Sequence, residues 1–303
     1  MRALQRWTLP AADGAKPVVL DSGKKLSDYG LKARRAPAAP LHSGALSRSA
    51  RLAPAAPVHR GALSRSARPQ EKEVTVVFKD LGPQIGYSTV FFLEYFGPMA
   101  IYPLFYFFAP LVYGAPHQPV LAQRLAVAYH TGHYAKRILE TFLVHEFSHG
   151  TMPIANLFRN CGYYWSFAAF ISYFVNHPLY TSPPEERVRV AFACAVACQA
   201  LNAYSHVVLS KLRADGSKGY KIPYSLLAGF NFVTCANYMW EILGWAAFNV
   251  ATQTVAGVVF NVCGAAQMAQ WAAAKHARLR REFDGKNGKA KYPRRWRMLP
   301  PFF

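Results

Sequence analysis

Residues 129–153 read YHTGHYAKRILETFLVHEFSHGTMP, and the reading of this stretch decides the fold. Ile138, Leu139, Phe142, Leu143 and Val144 suit a lipid or core environment, yet the same stretch carries His130, His133, Tyr134, Lys136, Arg137, Glu140 and His145. Polar groups at this density in an apolar helix are costly unless they face one another, water or a ligand. Spacing discriminates among these. His130, Tyr134, Arg137 and Thr141 follow i, i+4, i+7 and i+11, so they share one stripe, flanked by His133 and Glu140. The spacing predicts a helix with a single chemically equipped face.

Outward from this stretch the hydrophobicity comes in blocks. The 303 residues are 52% hydrophobic and only 17% charged. From Lys79 onward six blocks approach the roughly 20-residue length of a membrane span: 88–112, 120–144, 162–180, 188–211, 224–248 and 251–274. The expected fold is an all-α multi-pass membrane bundle of about six or seven transmembrane helices. The net charge of +20 lies mainly outside those blocks, in the first 72 residues and in 275–297. Such a balance favours anionic partners, whether membrane lipid headgroups or phosphorylated cofactors. A nucleic-acid partner is not expected, because the basic tail adjoins a span and carries no recognised binding fold. Basic residues Lys211, Arg213, Lys218 and Lys221 precede the fifth span, and the tail after the sixth is basic. Both are therefore expected in the cytosol, with the Glu185-Glu186 turn on the far side.

The first 78 residues are of another kind. Residues 16–31, KPVVLDSGKKLSDYGL, suggest a short strand and a turn, and 73–78, EVTVVF, a second strand. Between them APAAPLHSGALSRSAR at 36–51 returns as APAAPVHRGALSRSAR at 53–68, so 36–70 is expected to be a disordered basic insert. Residues 1–30 lack the apolar core of a cleavable leader, which leaves insertion to the first span. Cys161, Cys194, Cys198, Cys235 and Cys263 have no paired framework and are expected to be small buried apolar residues.

Three constellations carry chemistry. His145-Glu146-Phe147-Ser148-His149 matches H-E-x-x-H, in which two histidines bind zinc and the glutamate acts as base; a membrane zinc protease is one alternative. Gly150 and Pro153 end that helix at once, and no downstream third ligand is evident. A second polar stripe, Gln199, Asn202, His206, Ser210 and Arg213, runs down the fourth span and opens into the loop RADGSKGYKIP at 213–223. The third set is Asn237, Tyr238 and Glu241 in the fifth span, an amide and a carboxylate one turn apart beside a phenol. Placed on the expected topology, these sets describe a pocket with a cationic mouth and a neutral polar floor, shaped for a phosphorylated nucleotide and an apolar substrate.

In order along 79–303 stand KDLGPQIGY (79–87), EYFGP (94–98), HYAKRILET (133–141), FSHGTMP (147–153), NCGYYWSFA (160–168), NHPLYT (176–181), GSKGYKIP (216–223), ANYMWE (236–241) and KHARLRREF (275–283). With these motifs the chain resembles the very-long-chain trans-2,3-enoyl-CoA reductases of the fatty-acid elongation cycle, in the steroid 5-alpha-reductase superfamily. The resemblance implies a multi-pass enzyme of the endoplasmic-reticulum membrane, facing the cytosol. It implies NADPH as cofactor, very-long-chain trans-2-enoyl-CoA as substrate, and an elongase, a ketoacyl reductase and a dehydratase as partners. It places Asn202, His206, Arg213, Lys221, Asn237 and Glu241 in the cofactor site, with Lys275 and His276 nearby. Glu94 and Tyr134 fall on the pair that polarises the substrate carbonyl, Lys136 and Arg137 on a basic pair, and Tyr238 on the proton donor. Glu146 departs from an expected basic residue and Leu279 from an expected aromatic. The family's N-terminal region is similar to ubiquitin; here LDSGKKLSDYGL and EVTVVFKDLG resemble its second half, while its early strands are not legible. The implied domains are a partial ubiquitin-like segment at 1–35, the insert at 36–70, a last strand and linker at 71–82, and the catalytic membrane domain at 83–303. A steroid or polyprenol reductase of the same superfamily and a non-enzymatic membrane scaffold are the remaining alternatives.

Overall fold

The computed structural model describes residues 3–9, 18–20, 31–33, 52–54, 77–116, 118–147, 150–215, 219–286 and 288–303, with side chains from Gly82 onward. The chain divides into two compact units, Met1–Gln84 and Ile85–Phe303. In the first, strand β1 (Ala3–Leu9) pairs antiparallel with β2 (Val18–Leu20), Trp7 opposite Leu20, and with β5 (Val77–Gly86), Trp7 opposite Phe78. An early strand is therefore present where the sequence showed none, because ALQRWTL lacks the strict alternation that marks a half-buried strand. β3 (Leu31–Ala33) pairs with β4 (Leu52–Pro54), which places a short strand within the segment expected to be disordered. The rest of the repeat, and the expected strand at 73–76, lie outside the described residues.

The second unit is helical: α1 (Tyr87–Phe107), α2 (Ala109–Tyr113), α3 (Leu121–Leu143), α4 (Ala155–Val175), α5 (Glu185–Lys211), α6 (Ala236–Thr252) and α7 (Val255–Glu282), with a three-residue strand, β6 (Thr151–Pro153), after α3. Among the described residues two helices, α1 and α5, are long and apolar enough to cross a membrane. The physical reason the others fall short is visible in α3, where nine of the twenty-three positions carry polar or charged side chains, five of them buried. The bundle is turned inside out. Glu94, Gln123, His130, His133, Glu140, Thr141, Asn202 and His206 are buried, while Leu104, Phe107, Leu139, Leu143, Phe158 and Val262 are each more than half exposed. That is the distribution a lipid solvent selects. Two of the cysteines, Cys194 and Cys263, are exposed and only Cys235 is buried, which corrects the expectation that all five sit inside.

Local chemistry sets the helix limits. Val120 N–H donates to Gln123 Oε1 at 2.9 Å, satisfying one orphan donor at the start of α3, and Gln123 Nε2 donates to Val175 O at 2.8 Å, tying α3 to the end of α4. The expected fifth span begins late. Residues 224–235 are turns rather than helix, because Gly229 takes φ 88° and Ser225 N–H donates to Asn231 Oδ1 at 3.0 Å. This apolar loop docks on the C-terminal tail through Thr234 N–H to Trp296 O (2.9 Å) and Cys235 N–H to Arg297 O (3.1 Å), fixing where α6 begins.

Helices α1 and α4 touch most closely at Gly97. A Cβ there would stand 1.9 Å from Trp165 Nε1, which donates to Leu93 O at 3.2 Å. Small residues let membrane helices approach in this way. Gly97→Ala is expected to lower stability by about 1–3 kcal/mol through overpacking, read as a drop in melting temperature of the detergent-solubilised protein. Adding Trp165→Leu should recover most of the loss; no drop in the single variant would refute the contact.

Candidate functional site

Arg137, in the second turn from the end of α3, is the centre of a buried polar cluster. Its Nη1 donates to Glu140 Oε2 at 2.6 Å and stands 3.2 Å from His206 Nδ1 on α5 and 3.4 Å from His145 Nε2. Its Nη2 donates to Tyr95 OH on α1 at 3.0 Å. His206 Nδ1 lies 3.0 Å from the same Glu140 oxygen. Beside it, Lys136 Nζ donates to Asn202 Oδ1 at 2.5 Å and stands 3.6 Å from Glu140 Oε1. Asn202 Nδ2 donates in turn to the backbone oxygen of Asn237 at 2.9 Å, so α3, α5 and α6 meet at one amide. His145 follows the helix; burial, and next the Arg137 charge, push its pKa down to about 4, leaving it neutral at pH 7.

One helical turn deeper, His133 Nδ1 donates to Gln199 Oε1 at 3.0 Å, and its Nε2 is 3.4 Å from Glu241 Oε1, which also accepts Trp245 Nε1–H at 2.9 Å. Glu241, expected to touch cofactor, is thereby turned into the bundle as the partner of His133 and Trp245. Tyr134 is buried among the rings of Tyr95, Tyr164, His133 and Trp245. Glu94 accepts Asn160 Nδ2–H from α4 at 2.9 Å and also has the neighbouring Tyr95 as a side-chain hydrogen-bond partner.

The expected cofactor residues separate into three places. Asn202, His206 and Asn237 belong to the cluster. Arg213 Nη1 donates to Glu146 O at 2.9 Å and Lys221 pairs with Asp215 at 2.6 Å, both on the exposed loop after α5. His276 Nδ1 on α7 shares a 2.6 Å hydrogen bond with Thr234 Oγ1, which is 3.0 Å from Tyr292 OH; Lys275 is its neighbour. Tyr238 is half-buried at the start of α6, its ring 6.3 Å from that of Trp271, with Arg137 within electrostatic reach. Leu279, in place of an aromatic, is buried at 3% exposure. Tyr95, Asn160, Thr234 and Tyr292 were not among the expected residues. Of these Tyr95 and Asn160 had a signal, their places in EYFGP beside Glu94 and at the head of NCGYYWSFA.

The zinc alternative meets an obstacle. Potential ligand atoms of Glu140, His145 and His206 lie within 4.8 Å of one another, but Arg137 Nη1 already stands in hydrogen-bonding range of all three. A permanently charged guanidinium occupies the position a divalent cation would need. His149, the second histidine of H-E-x-x-H, lies outside the described residues.

A nicotinamide cofactor, by contrast, suits the groups present. Among the described residues Asn237 Oδ1 is buried without a donor, a complement for a carboxamide N–H, and Lys275 makes no ion pair.

The comparisons agree with this chemistry. A model of the 3-oxo-5-alpha-steroid 4-dehydrogenase family matches residues 150–303. The very-long-chain enoyl-CoA reductase of Dictyostelium discoideum is 50% identical over 228 residues, covering 75% of this chain and 74% of that protein. A probable very-long-chain enoyl-CoA reductase of Caenorhabditis elegans is 40% identical over 242 residues, 76% of each. A putative enoyl-CoA reductase of Trypanosoma brucei brucei is 42% identical over 223 residues, 72% of this chain and 74% of that one. With half its positions shared over three quarters of its length, the chain belongs to the very-long-chain enoyl-CoA reductases of the 3-oxo-5-alpha-steroid 4-dehydrogenase family.

Proposed function

We propose that this oxidoreductase acting on CH–CH groups reduces the 2,3 double bond of very-long-chain trans-2-enoyl-CoA with NADPH, as the last step of fatty-acid elongation. The observation that carries the reading is the buried pair of cations, Lys136 and Arg137, sharing the single Glu140 carboxylate, with Asn202 joining Lys136 to the backbone of Asn237. NADPH, when bound, supplies the hydride that goes to C3 of the enoyl thioester. Negative charge then develops on the thioester oxygen, where Tyr134 with Glu94, and the Lys136 and Arg137 charges, stabilise it in a site shielded from water. Tyr238 delivers the proton to C2 as general acid, and solvent restores it. Asn202, His206 and Asn237 hold the nicotinamide end, while Arg213, Lys221, Lys275 and His276 hold the phosphates at the mouth. Glu241 acts one step back, by fixing His133.

In this reading the remaining long helices join α1 and α5 in spanning the endoplasmic-reticulum membrane, the mouth faces the cytosol, and the elongase, ketoacyl reductase and dehydratase are neighbours. The first unit is a reduced ubiquitin-like segment. The test follows NADPH oxidation at 340 nm by the purified protein with trans-2-hexadecenoyl-CoA and, separately, with a 3-oxo-4-ene steroid. Turnover of the thioester alone is expected. Turnover of the steroid alone would move the chain to the steroid branch, and turnover of neither would remove the reductase reading.

A further inference from the structure

At the other end of α5, α6 and α7 lies a second cleft, of about 560 Å³. Arg187 and His206 are nineteen positions apart on α5, so the two ends are separated by roughly 28 Å along its axis. Arg187, Asn249 and Thr254 line the cleft with Val250, Val255 and Val258. Thr254 is only 7% exposed and its Oγ1 has no partner among the described residues; Asn249 Oδ1 is likewise buried without one among them. Thr254 holds the N-cap position of α7, yet its hydroxyl makes no cap hydrogen bond. Gly257 explains how two oxygens crowd the same spot, since a Cβ there would stand 2.3 Å from Asn249 Oδ1 and 3.2 Å from Thr254 Oγ1. On the rim, Arg189 pairs with Glu185 at 3.1 Å, whereas Arg187 makes no ion pair among the described residues.

We propose that this cleft binds a phospholipid whose headgroup carries both a phosphate and a hydrogen-bond donor, of the phosphoethanolamine type. Arg187 and the amino end of the long α7 helix take the phosphate, the guanidinium by two parallel hydrogen bonds. Thr254 Oγ–H donates to a phosphate oxygen and the ammonium donates to Asn249 Oδ1, so each unpartnered oxygen gains the partner that buried polar atoms require. Val250, Val255 and Val258, each nearly half exposed or more, carry the acyl chains away from the head. A choline headgroup satisfies Arg187 but has no N–H for Asn249. The proposal is independent of the reductase reading, because no group in the cleft belongs to the Arg137 cluster.

The test is a binding titration on the delipidated full chain in detergent, read by native mass spectrometry. The probes are dioleoyl phosphatidylethanolamine, dioleoyl phosphatidylcholine and soluble phosphoethanolamine. The ethanolamine lipid is expected to bind about tenfold more tightly than the choline lipid, and Arg187→Ala to weaken it about tenfold or more, the size of one charge-assisted hydrogen bond. Asn249→Ala should abolish the preference between the two lipids. Equal binding of both lipids by the unaltered protein overturns the proposal without reliance on any variant, and so does unchanged affinity in Arg187→Ala. Displacement of the lipid by equimolar soluble phosphoethanolamine would mark a site for a free phosphate and would overturn the assignment to lipid.

Discussion

Tyr238→Phe is expected to lower kcat by about 10²- to 10⁴-fold, the usual contribution of a positioned general acid, while NADPH still binds. The substitution removes one oxygen and keeps the ring that packs near Trp271, so α6 retains its place. Asn237, the adjacent residue, is proposed to offer cofactor its amide oxygen and keeps its backbone tie to Asn202. Fluorescence titration with NADPH therefore separates the proton donor from the binding groups. An unchanged turnover rate would take Tyr238 out of the role assigned to it, and a lost NADPH signal would make it a binding residue instead.

Arg137→Met is expected to cost up to about 3–5 kcal/mol in stability, because it takes from the buried Glu140 carboxylate the cation at 2.6 Å and leaves it His206 at 3.0 Å and Lys136 at 3.6 Å. Both side chains are well shielded, at 14% and 6% exposure, so solvent cannot take over the pairing. The companion variant Arg137→Met/Glu140→Met removes both charges and should recover much of the stability, since replacing a whole buried pair by apolar groups is often neutral. Activity should not return with it, because one of the two cations proposed to face the thioester is gone. Thermal melts and NADPH oxidation measured on the same preparations give the two readouts. A double variant as unstable as the single one would show that the pair is not the source of the loss.

The two polar stripes were legible because a helix repeats every 3.6 residues and lipid tolerates so few hydrophilic side chains. Spacing alone groups His130, Tyr134, Arg137 and Thr141, and likewise Gln199, Asn202 and His206. Which members touch was not legible. The Arg137 hydrogen bond to Tyr95 joins positions 42 apart in sequence, and a tyrosine in an apolar aromatic helix carries no periodic mark. Glu241 shares a helix face with Asn237, but spacing alone does not show that its carboxylate lies 3.4 Å from His133 Nε2 and accepts Trp245 Nε1–H. Residues 224–235 passed for a span because YSLLAGFNFVTC is apolar and uncharged; the left-handed turn at Gly229 defeats that pattern. The charges on α3 are also what lowers its hydropathy below that of a span.

Asn202 grips a lysine with one atom and the main chain of α6 with the other. Any ligand that settles against Asn237 thus also bears on the ammonium proposed to meet the acyl thioester. Occupancy of one half of the pocket would then tune affinity in the other, and linkage requires each ligand to help or hinder its companion by the same factor.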